Sequence, residues 1–189
     1  MLGIRNYFKL VLTSADIFQK SYQDLKILKQ KYNISYITSV LSNRGFHALL
    51  FYRISHFLYK VKIPILPLIF TRIIQIIYCI DIDYRAKIEG GVIIIHGSGT
   101  VIGSGATIKS GTIIYHQVTI GIKGSQNNDG FATIEENCIL GAGAKILGKL
   151  TIGANSIIGA NVVITKDIPK NSIVTTENRL IIKEKNVSN

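Results

Sequence analysis

Acidic residues, cysteines and long apolar runs are all scarce in this 189-residue sequence. The first 80 residues hold eleven lysine and arginine residues but only Asp16 and Asp24, a net charge of +9, against +2 for the remainder. Such a basic surface favours anionic partners, among them acidic lipid and polyanionic glycan. Nucleic acid is disfavoured, because no nucleic-acid-binding motif is present and the basic residues are dispersed among aliphatic ones.

The two cysteines, Cys79 and Cys138, share no spacing typical of a metal or redox site. We expect both to be small buried side chains in a reducing compartment. The N-terminus lacks the features of a secretion signal. The most apolar stretch, residues 61–80, is interrupted by two charges and two prolines, so it is not expected to span a membrane. The sequence therefore predicts a cytoplasmic protein, with the inner membrane surface as a candidate peripheral partner.

Glycine is also scarce before residue 80, where apolar residues recur at helical spacing. Only two of the 17 glycines lie there. The apolar residues at 17–28 predict one amphipathic helix, and those at 46–58 predict a second, for which Asn43 is a candidate N-cap. A pair of prolines then ends or kinks the chain before a third helical run, residues 68–79. Residues 1–80 are therefore predicted to form a basic, partly amphipathic helical region.

After residue 80, aliphatic residues recur every six positions. They are Ile102, Ile108, Ile114, Ile120, Ile134, Leu140, Ile146, Ile152, Ile158 and Ile164. An α-helix could not keep these residues on one face, whereas short strands joined by sharp turns can, three strands to a coil. Alternating polar residues and Asn-Gly turns, which would favour a sandwich, are not prominent. The sequence therefore predicts a left-handed parallel β-helix over residues 81–170, with a C-terminal tail over residues 171–189.

The spacing between Ile120 and Ile134 is fourteen residues rather than six. Residues 122–132 are polar and rich in glycine, so we expect them to leave the coil as an exposed excursion loop. Long excursions from a rigid scaffold usually serve binding or catalysis.

Six stretches together cover roughly residues 43–170: SNRGFHALLFYRISHFLYK, DIDYRAKI, IIIHGSG, HQVTIG, ILGAGAKILG and TIGANSIIGANVVITKDIP. They resemble the serine acetyltransferase family of hexapeptide-repeat enzymes. In that family an Asp orients a His that acts as general base on the acceptor hydroxyl, and the resemblance gives these roles to Asp81 and His96. An imidazole can take a hydroxyl proton near neutral pH, and a carboxylate would fix its tautomer. Residues fifteen apart are expected to lie near one corner of the coil.

The resemblance also implies acetyl-CoA as the acyl donor and a homotrimer as the assembly. The pantetheine arm would lie between subunits against small residues, here Gly121, Ala142 and Ala160. Lys166 and Lys170 are candidates for binding the nucleotide phosphates. No metal ion is expected.

Departures from the family pattern disfavour serine as the acceptor. Family members bind the serine zwitterion with charged side chains, and the corresponding positions here are Ile34, Ile95, Gly130 and Phe131. A zwitterion would lose its ion pairs in such a site. A sugar hydroxyl fits better, with His116, Tyr84, Tyr115, Asp129 and Phe131 as candidate acceptor contacts.

Three interpretations follow. The first is an O-acetyltransferase that modifies a capsular or other surface polysaccharide. The second is serine O-acetyltransferase of cysteine biosynthesis, with a rearranged acceptor pocket. The third is a trimeric β-helix scaffold without catalytic activity, against which the retention of Asp81 and His96 argues.

Overall fold

Four helices lie in the described N-terminal part of the protein. The computed structural model describes residues 4–124 and 130–176, with side chains from residue 15 onward. The helices are α1 (Ile4–Tyr32), α2 (Tyr36–Ser42), α3 (Arg44–Lys60) and α4 (Leu66–Tyr78). Asn43 is the N-cap of α3 as predicted, because its side-chain oxygen accepts a hydrogen bond from the Phe46 amide at 2.9 Å. No helix among the described residues is long and apolar enough to cross a membrane.

Short helix α2 is not predicted by apolar spacing, because seven residues give too few turns for a periodic pattern. A cap marks its start instead: the Ser35 hydroxyl accepts a hydrogen bond from the Thr38 amide at 3.1 Å. This helix contributes one side of the candidate site described below.

Fourteen short strands follow the helices in the described part of the chain. They are β1 (Asp81–Ile82), β2 (Lys87–Ile88), β3 (Ile93–Ile94), β4 (Val101–Ile102), β5 (Thr107–Ile108), β6 (Ile113–Ile114), β7 (Thr119–Gly121), β8 (Thr133–Ile134), β9 (Ile139–Leu140), β10 (Lys145–Leu147), β11 (Thr151–Ile152), β12 (Ile157–Ile158), β13 (Val163–Ile164) and β14 (Ile173–Val174). They form three parallel sheets: wall A (β1-β4-β7-β10-β13), wall B (β2-β5-β8-β11) and wall C (β3-β6-β9-β12-β14). Each successive set of three strands is one coil, so the chain winds through walls A, B and C in turn.

The axis of the coil is filled by the repeated aliphatic residues. All ten predicted positions are buried, from Ile102 to Ile164. Ile82, Ile88 and Ile94 are also buried and extend the six-residue spacing one coil earlier. Burial of aliphatic side chains on this scale is the main source of stability in a fold with two-residue strands.

The first coil is longer than the second. Asp81 pairs with Val101, twenty residues further on, whereas Val101 pairs with Thr119, eighteen residues further on. The two extra residues fall between Ile94 and Ile102, where the aliphatic spacing is eight rather than six. The turn that contains His96 is therefore an insertion in the coil.

The β-helix continues beyond the boundary predicted at residue 170. Strand β14 pairs with β12 in parallel through Ile157 and Ile173, and Ile168 forms an isolated bridge with Ile152. The boundary was wrong because the last coil lacks the clear six-residue spacing of the others. The predicted tail therefore includes part of the last coil, and residues 177–189 lie outside the described part of the chain.

Side chains from the helices cover the first coil. The Tyr52 hydroxyl donates to the Ala86 carbonyl at 2.6 Å and accepts from the Ile88 amide at 3.2 Å. Arg53 and Asp24 form a buried ion pair at 2.7 Å, and Asp24 also accepts from the Gly91 amide at 2.8 Å. Burial raises the pKa of Asp24 to about 6, against the opposing effect of Arg53. These contacts fix α1 and α3 onto the edge of the first coil.

The two cysteines are both free, but only one of them has the predicted environment. Cys138 is buried in the coil axis, whereas Cys79 is exposed. Cys79 is the C-cap of α4 in a left-handed conformation, with φ of 55°. The prediction for Cys79 was wrong because the residue ends a helix instead of facing the apolar core.

Candidate active site

The coil turns at three corners, and the predicted site residues are divided among them. The corner between wall C and the next wall A contains residues 95–100, 115–118, 141–144 and 159–162, and we name it the His96 corner. The corner between walls A and B contains residues 83–86, 103–106 and the excursion from 122 to 132, and we name it the loop corner. The third corner lies between walls B and C.

His96 has a backbone conformation that few side chains adopt. Its φ is 62°, and Gly97 and Gly99 in the same turn have φ of 70° and 75°. The Gly97 amide donates to the Ile95 carbonyl at 2.7 Å, and the Ser98 amide to the His96 carbonyl at 2.9 Å. A non-glycine residue with positive φ is uncommon and carries strain. His96 is exposed at this corner.

His116 occupies the same corner one coil further along. The His96 and His116 rings are 6.2 Å apart, centre to centre, at an interplanar angle of 68°. The Nδ1 atom of His116 is buried and has no hydrogen-bond partner among the described residues. A buried polar atom of this kind is uncommon and marks a place where a ligand group can bind.

Asp81 lies at the start of wall A, beside the His96 corner. Its amide donates to the Thr100 carbonyl at 2.9 Å, so the backbone of Asp81 runs along the end of the turn that contains His96. Its carboxylate accepts a hydrogen bond from Gln75 Nε2 at 3.4 Å. No hydrogen bond joins Asp81 to His96 within the described part of the chain. The structure thus places both residues at one corner without forming the predicted hydrogen bond.

A pocket of about 440 Å³ opens beside His96, between the coil and the helices. The residues that line it are Tyr32, Ile34, Ser42, Asn43, Arg44, Gly45, Ile94, Ile95 and His96. Four segments therefore meet here: the end of α1, the end of α2, the start of α3 and the strand that leads to His96. Of these, sequence reasoning assigned a catalytic role only to His96, and it did not identify Tyr32, Asn43 or Arg44 as site residues.

Gly45 allows the start of α3 to touch the coil. A Cβ atom at this position would lie 1.9 Å from the carbonyl oxygen of Ile94. Only a residue without a side chain permits this approach. The close packing holds the start of α3, which includes Arg44, against the end of β3, two residues before His96.

Tyr115 is a neighbour of Tyr32, which lines this pocket. Burial raises the pKa of Tyr32, and the neighbouring hydroxyl of Tyr115 raises it further. Tyr32 is at the end of α1 and Tyr115 is at the His96 corner. The structure therefore brings Tyr115, a predicted acceptor residue, next to a residue that lines the pocket.

The remaining predicted residues lie at several corners. Ala142 and Ala160 are at the His96 corner, Gly121, Lys166, Tyr84 and Phe131 are on the side of the loop corner, and Lys170 is at the third corner. The Phe131 ring lies against Gly103 and Gly105. Tyr84 packs against Tyr59 at 5.2 Å between ring centres and has no described contact with His96. Asp129 lies outside the described residues.

The other two histidines have structural contacts. His47 Nδ1 is 2.9 Å from the Tyr78 hydroxyl, and its Nε2 is 2.7 Å from the Val40 carbonyl oxygen. His56 Nδ1 donates to the Tyr84 carbonyl at 2.7 Å. Burial lowers the pKa of His56. Both histidines therefore join helices to neighbouring segments.

A signal for the site is present in the sequence. Before the last coil, the aliphatic spacing departs from six at two places, between Ile94 and Ile102 and between Ile120 and Ile134. The first departure contains His96, and the second contains the excursion loop. The pocket residues of the helices have no such signal, because their proximity depends on contacts between distant parts of the chain.

The comparisons with known proteins agree with this architecture. The family model described as "Bacterial transferase hexapeptide (six repeats)" matches residues 131–166. Serine acetyltransferase 2 of Arabidopsis thaliana is 38% identical over 141 residues, which are 75% of this chain and 44% of that protein. Serine acetyltransferase of Buchnera aphidicola subsp. Schizaphis graminum is 34% identical over 188 residues, which are 97% of this chain and 72% of that protein.

Solved structures give the same result for the fold. Serine acetyltransferase isoform 3 of Entamoeba histolytica, in complex with cysteine, superposes with a TM-score of 0.84 at 32% identity, over 94% of this chain and 64% of that one. The prediction of a left-handed β-helix preceded by helices is confirmed. The chain spans 44% of the Arabidopsis relative and 53% of the Synechococcus elongatus enzyme. By its match to most of the Buchnera protein, the chain belongs to the serine acetyltransferase family of hexapeptide-repeat proteins.

Proposed function

We propose that this protein transfers an acetyl group from acetyl-CoA to a hydroxyl acceptor, with His96 as the general base. The observation that carries the proposal is the exposed imidazole of His96, held by a strained turn beside a pocket of about 440 Å³. Enzymes commonly keep strained residues at reactive positions, because the surrounding structure can hold a side chain in a productive geometry.

The reaction needs one proton carrier and no redox step. His96 takes the proton of the acceptor hydroxyl as the oxygen attacks the carbonyl carbon of the thioester. The tetrahedral intermediate then breaks its carbon–sulfur bond, and the imidazolium returns the proton to the leaving thiolate. The products are an O-acetyl ester and free coenzyme A. Asp81 would orient His96 after a side-chain movement across the corner.

The proposed donor site uses more than one chain. The small residues Ala142 and Ala160 lie at the His96 corner, whereas Gly121 and Lys166 lie towards the loop corner. Exposed aliphatic residues flank the His96 corner on walls A and C: Val101, Ile157, Val163 and Ile173. Such residues favour packing against another copy. We propose a homotrimer in which the pantetheine arm lies between subunits, with Lys166 and Lys170 near the nucleotide phosphates.

The acceptor has two candidates. The relatives carry the name serine acetyltransferase, so the comparisons favour serine. None of them supports the polysaccharide acceptor or a membrane partner, which rest on sequence reasoning alone. The apolar residues Ile34 and Ile95 beside His96 favour an acceptor without an amino group.

The test is release of free thiol from acetyl-CoA in the presence of hydroxyl acceptors. We expect His96→Ala to lower the rate by about 100- to 10,000-fold, because general base catalysis contributes on that order. His56→Gln is the matched control, since His56 has only structural contacts. A His96→Ala protein with full activity contradicts the proposal. A folded trimer that releases no thiol with any acceptor supports the scaffold interpretation instead.

A further inference from the structure

The pocket beside His96 carries charge of one sign only. Among the residues that line it, Arg44 is a cation and none is a carboxylate. Arg44 is exposed, and it has no hydrogen bond or ion pair with any residue in the described part of the chain. A guanidinium without a partner, at the mouth of a pocket, is available to bind an anionic group of a ligand.

Another part of the pocket lining is aliphatic. Ile34 and Ile95 both pack against the buried cluster of Leu28, Phe46 and Ile93. An ammonium group placed there would lose water and gain no counter-charge, which disfavours its binding. A carboxylate in the same pocket would have Arg44.

Asp81 does not add a negative charge to the pocket lining. It is the acidic residue whose backbone borders the His96 turn, but it is absent from the pocket lining. Its carboxylate instead accepts a hydrogen bond from Gln75. The other acidic residues with described side chains are not in the lining either.

We infer that the acceptor is a hydroxyl compound with a carboxylate and without an ammonium group. This inference rests on the proposed function and names its substrate class. The carboxylate binds Arg44 in a charge-assisted pair, and the hydroxyl lies at His96. A free hydroxy acid and a uronic acid residue of an acidic glycan share this chemistry.

The experiment compares matched acceptors under saturating acetyl-CoA. 3-Hydroxypropionate is L-serine without its ammonium group, and ethanolamine is L-serine without its carboxylate. Glucuronic acid and methyl glucoside form the corresponding pair among sugars. We expect kcat/KM for 3-hydroxypropionate or glucuronic acid to exceed by about 100-fold that for L-serine and that for the matched compound without a carboxylate. The better of the two acids identifies the source of the carboxylate.

Two variants test the assigned roles. Arg44→Gln should raise KM for the acidic acceptor by about 10- to 100-fold and leave KM for acetyl-CoA unchanged. Lys26→Gln is its control, because Lys26 is an exposed cation of α1 outside the pocket. Ile95→Asp places a carboxylate beside His96 and should increase the use of L-serine relative to 3-hydroxypropionate. Thermal unfolding checks that each variant is folded.

The outcomes separate the inference from the function on which it rests. Thiol release that depends on His96 but prefers L-serine overturns the inference and leaves the proposed function intact. An Arg44→Gln protein whose KM rises for acetyl-CoA and not for the acceptor also overturns it, because Arg44 would then bind the donor. Absence of thiol release with the whole panel contradicts the proposed function itself.

Discussion

The helical part and the β-helix are held together in different ways. The β-helix repeats one environment: each coil places aliphatic residues at the axis and small residues at the turns. The helical part has contacts that occur once, such as the Arg53–Asp24 ion pair and the contact of Gly45 with Ile94. A repeated contact can be lost at one position while its neighbours remain. A contact made once is not duplicated elsewhere, so its loss is not compensated. Substitutions in the helices should therefore change the stability of the protein or the binding of the acceptor.

The largest expected effect tests the buried ion pair. Arg53→Leu leaves Asp24 without its cation, and we expect a loss of about 3–5 kcal/mol in the free energy of unfolding at pH 8. Ile108→Val removes one methylene from the repeated stack and should cost only about 1 kcal/mol. Denaturant titration of both variants measures this difference. Similar losses of unfolding free energy in the two variants would contradict the idea that the ion pair contributes more than one contact of the repeated stack.

The same ion pair predicts a pH dependence. Burial already raises the pKa of Asp24 to about 6 in the native protein, and removal of Arg53 should raise it further. An acid whose folded-state pKa is raised contributes stability at low pH, and that stability is lost as the pH rises through the folded-state pKa. The deficit of Arg53→Leu should therefore shrink from pH 8 to pH 5.5. Addition of Asp24→Asn should abolish this dependence.

A smaller effect is expected at the contact between α3 and the coil. Gly45→Ala forces a Cβ atom onto the Ile94 carbonyl, and we expect a cost of about 1–3 kcal/mol. Alanine normally stabilises a helix relative to glycine, so a loss of stability would itself identify the steric conflict. The start of α3 also carries Arg44, so KM for the acceptor should rise while KM for acetyl-CoA stays the same. An unchanged or increased stability would contradict the close contact.

The smallest effect concerns His56. Because burial lowers its pKa, the unfolded chain takes up a proton more readily than the folded one as the pH falls below neutrality. His56 therefore contributes to a loss of stability in acid. His56→Gln should reduce that loss, by less than about 1 kcal/mol. Unfolding midpoints at pH 7.5 and pH 5.5 measure it, and identical pH profiles for the two proteins would contradict the assignment.

The sequence predicts the β-helix well because every coil gives the same signal. The spacing of Ile and Leu identifies the axis, and the resemblance points to His96 and Asp81. The pocket is not predictable in this way, since Tyr32, Arg44 and Ile95 are distant in the sequence and meet only through the packing of α1 and α3 on the first coil. Tyr84 illustrates the same limit. The sequence does not show that Tyr84 lies at the loop corner, because that assignment depends on which residues form each strand of the first coil.

The hydrogen bonds of Tyr52, Arg53, Asp24 and His56 with the first coil have a consequence for assembly. They reach backbone groups of residues 84–91, on the side of the first coil that has no preceding strand. An uncovered strand edge is a template on which further chains can add. The helices occupy that template, so stacking of β-helices end to end into fibres is blocked at this end. In the homotrimer that we propose, the subunits therefore meet along the sides of the coil.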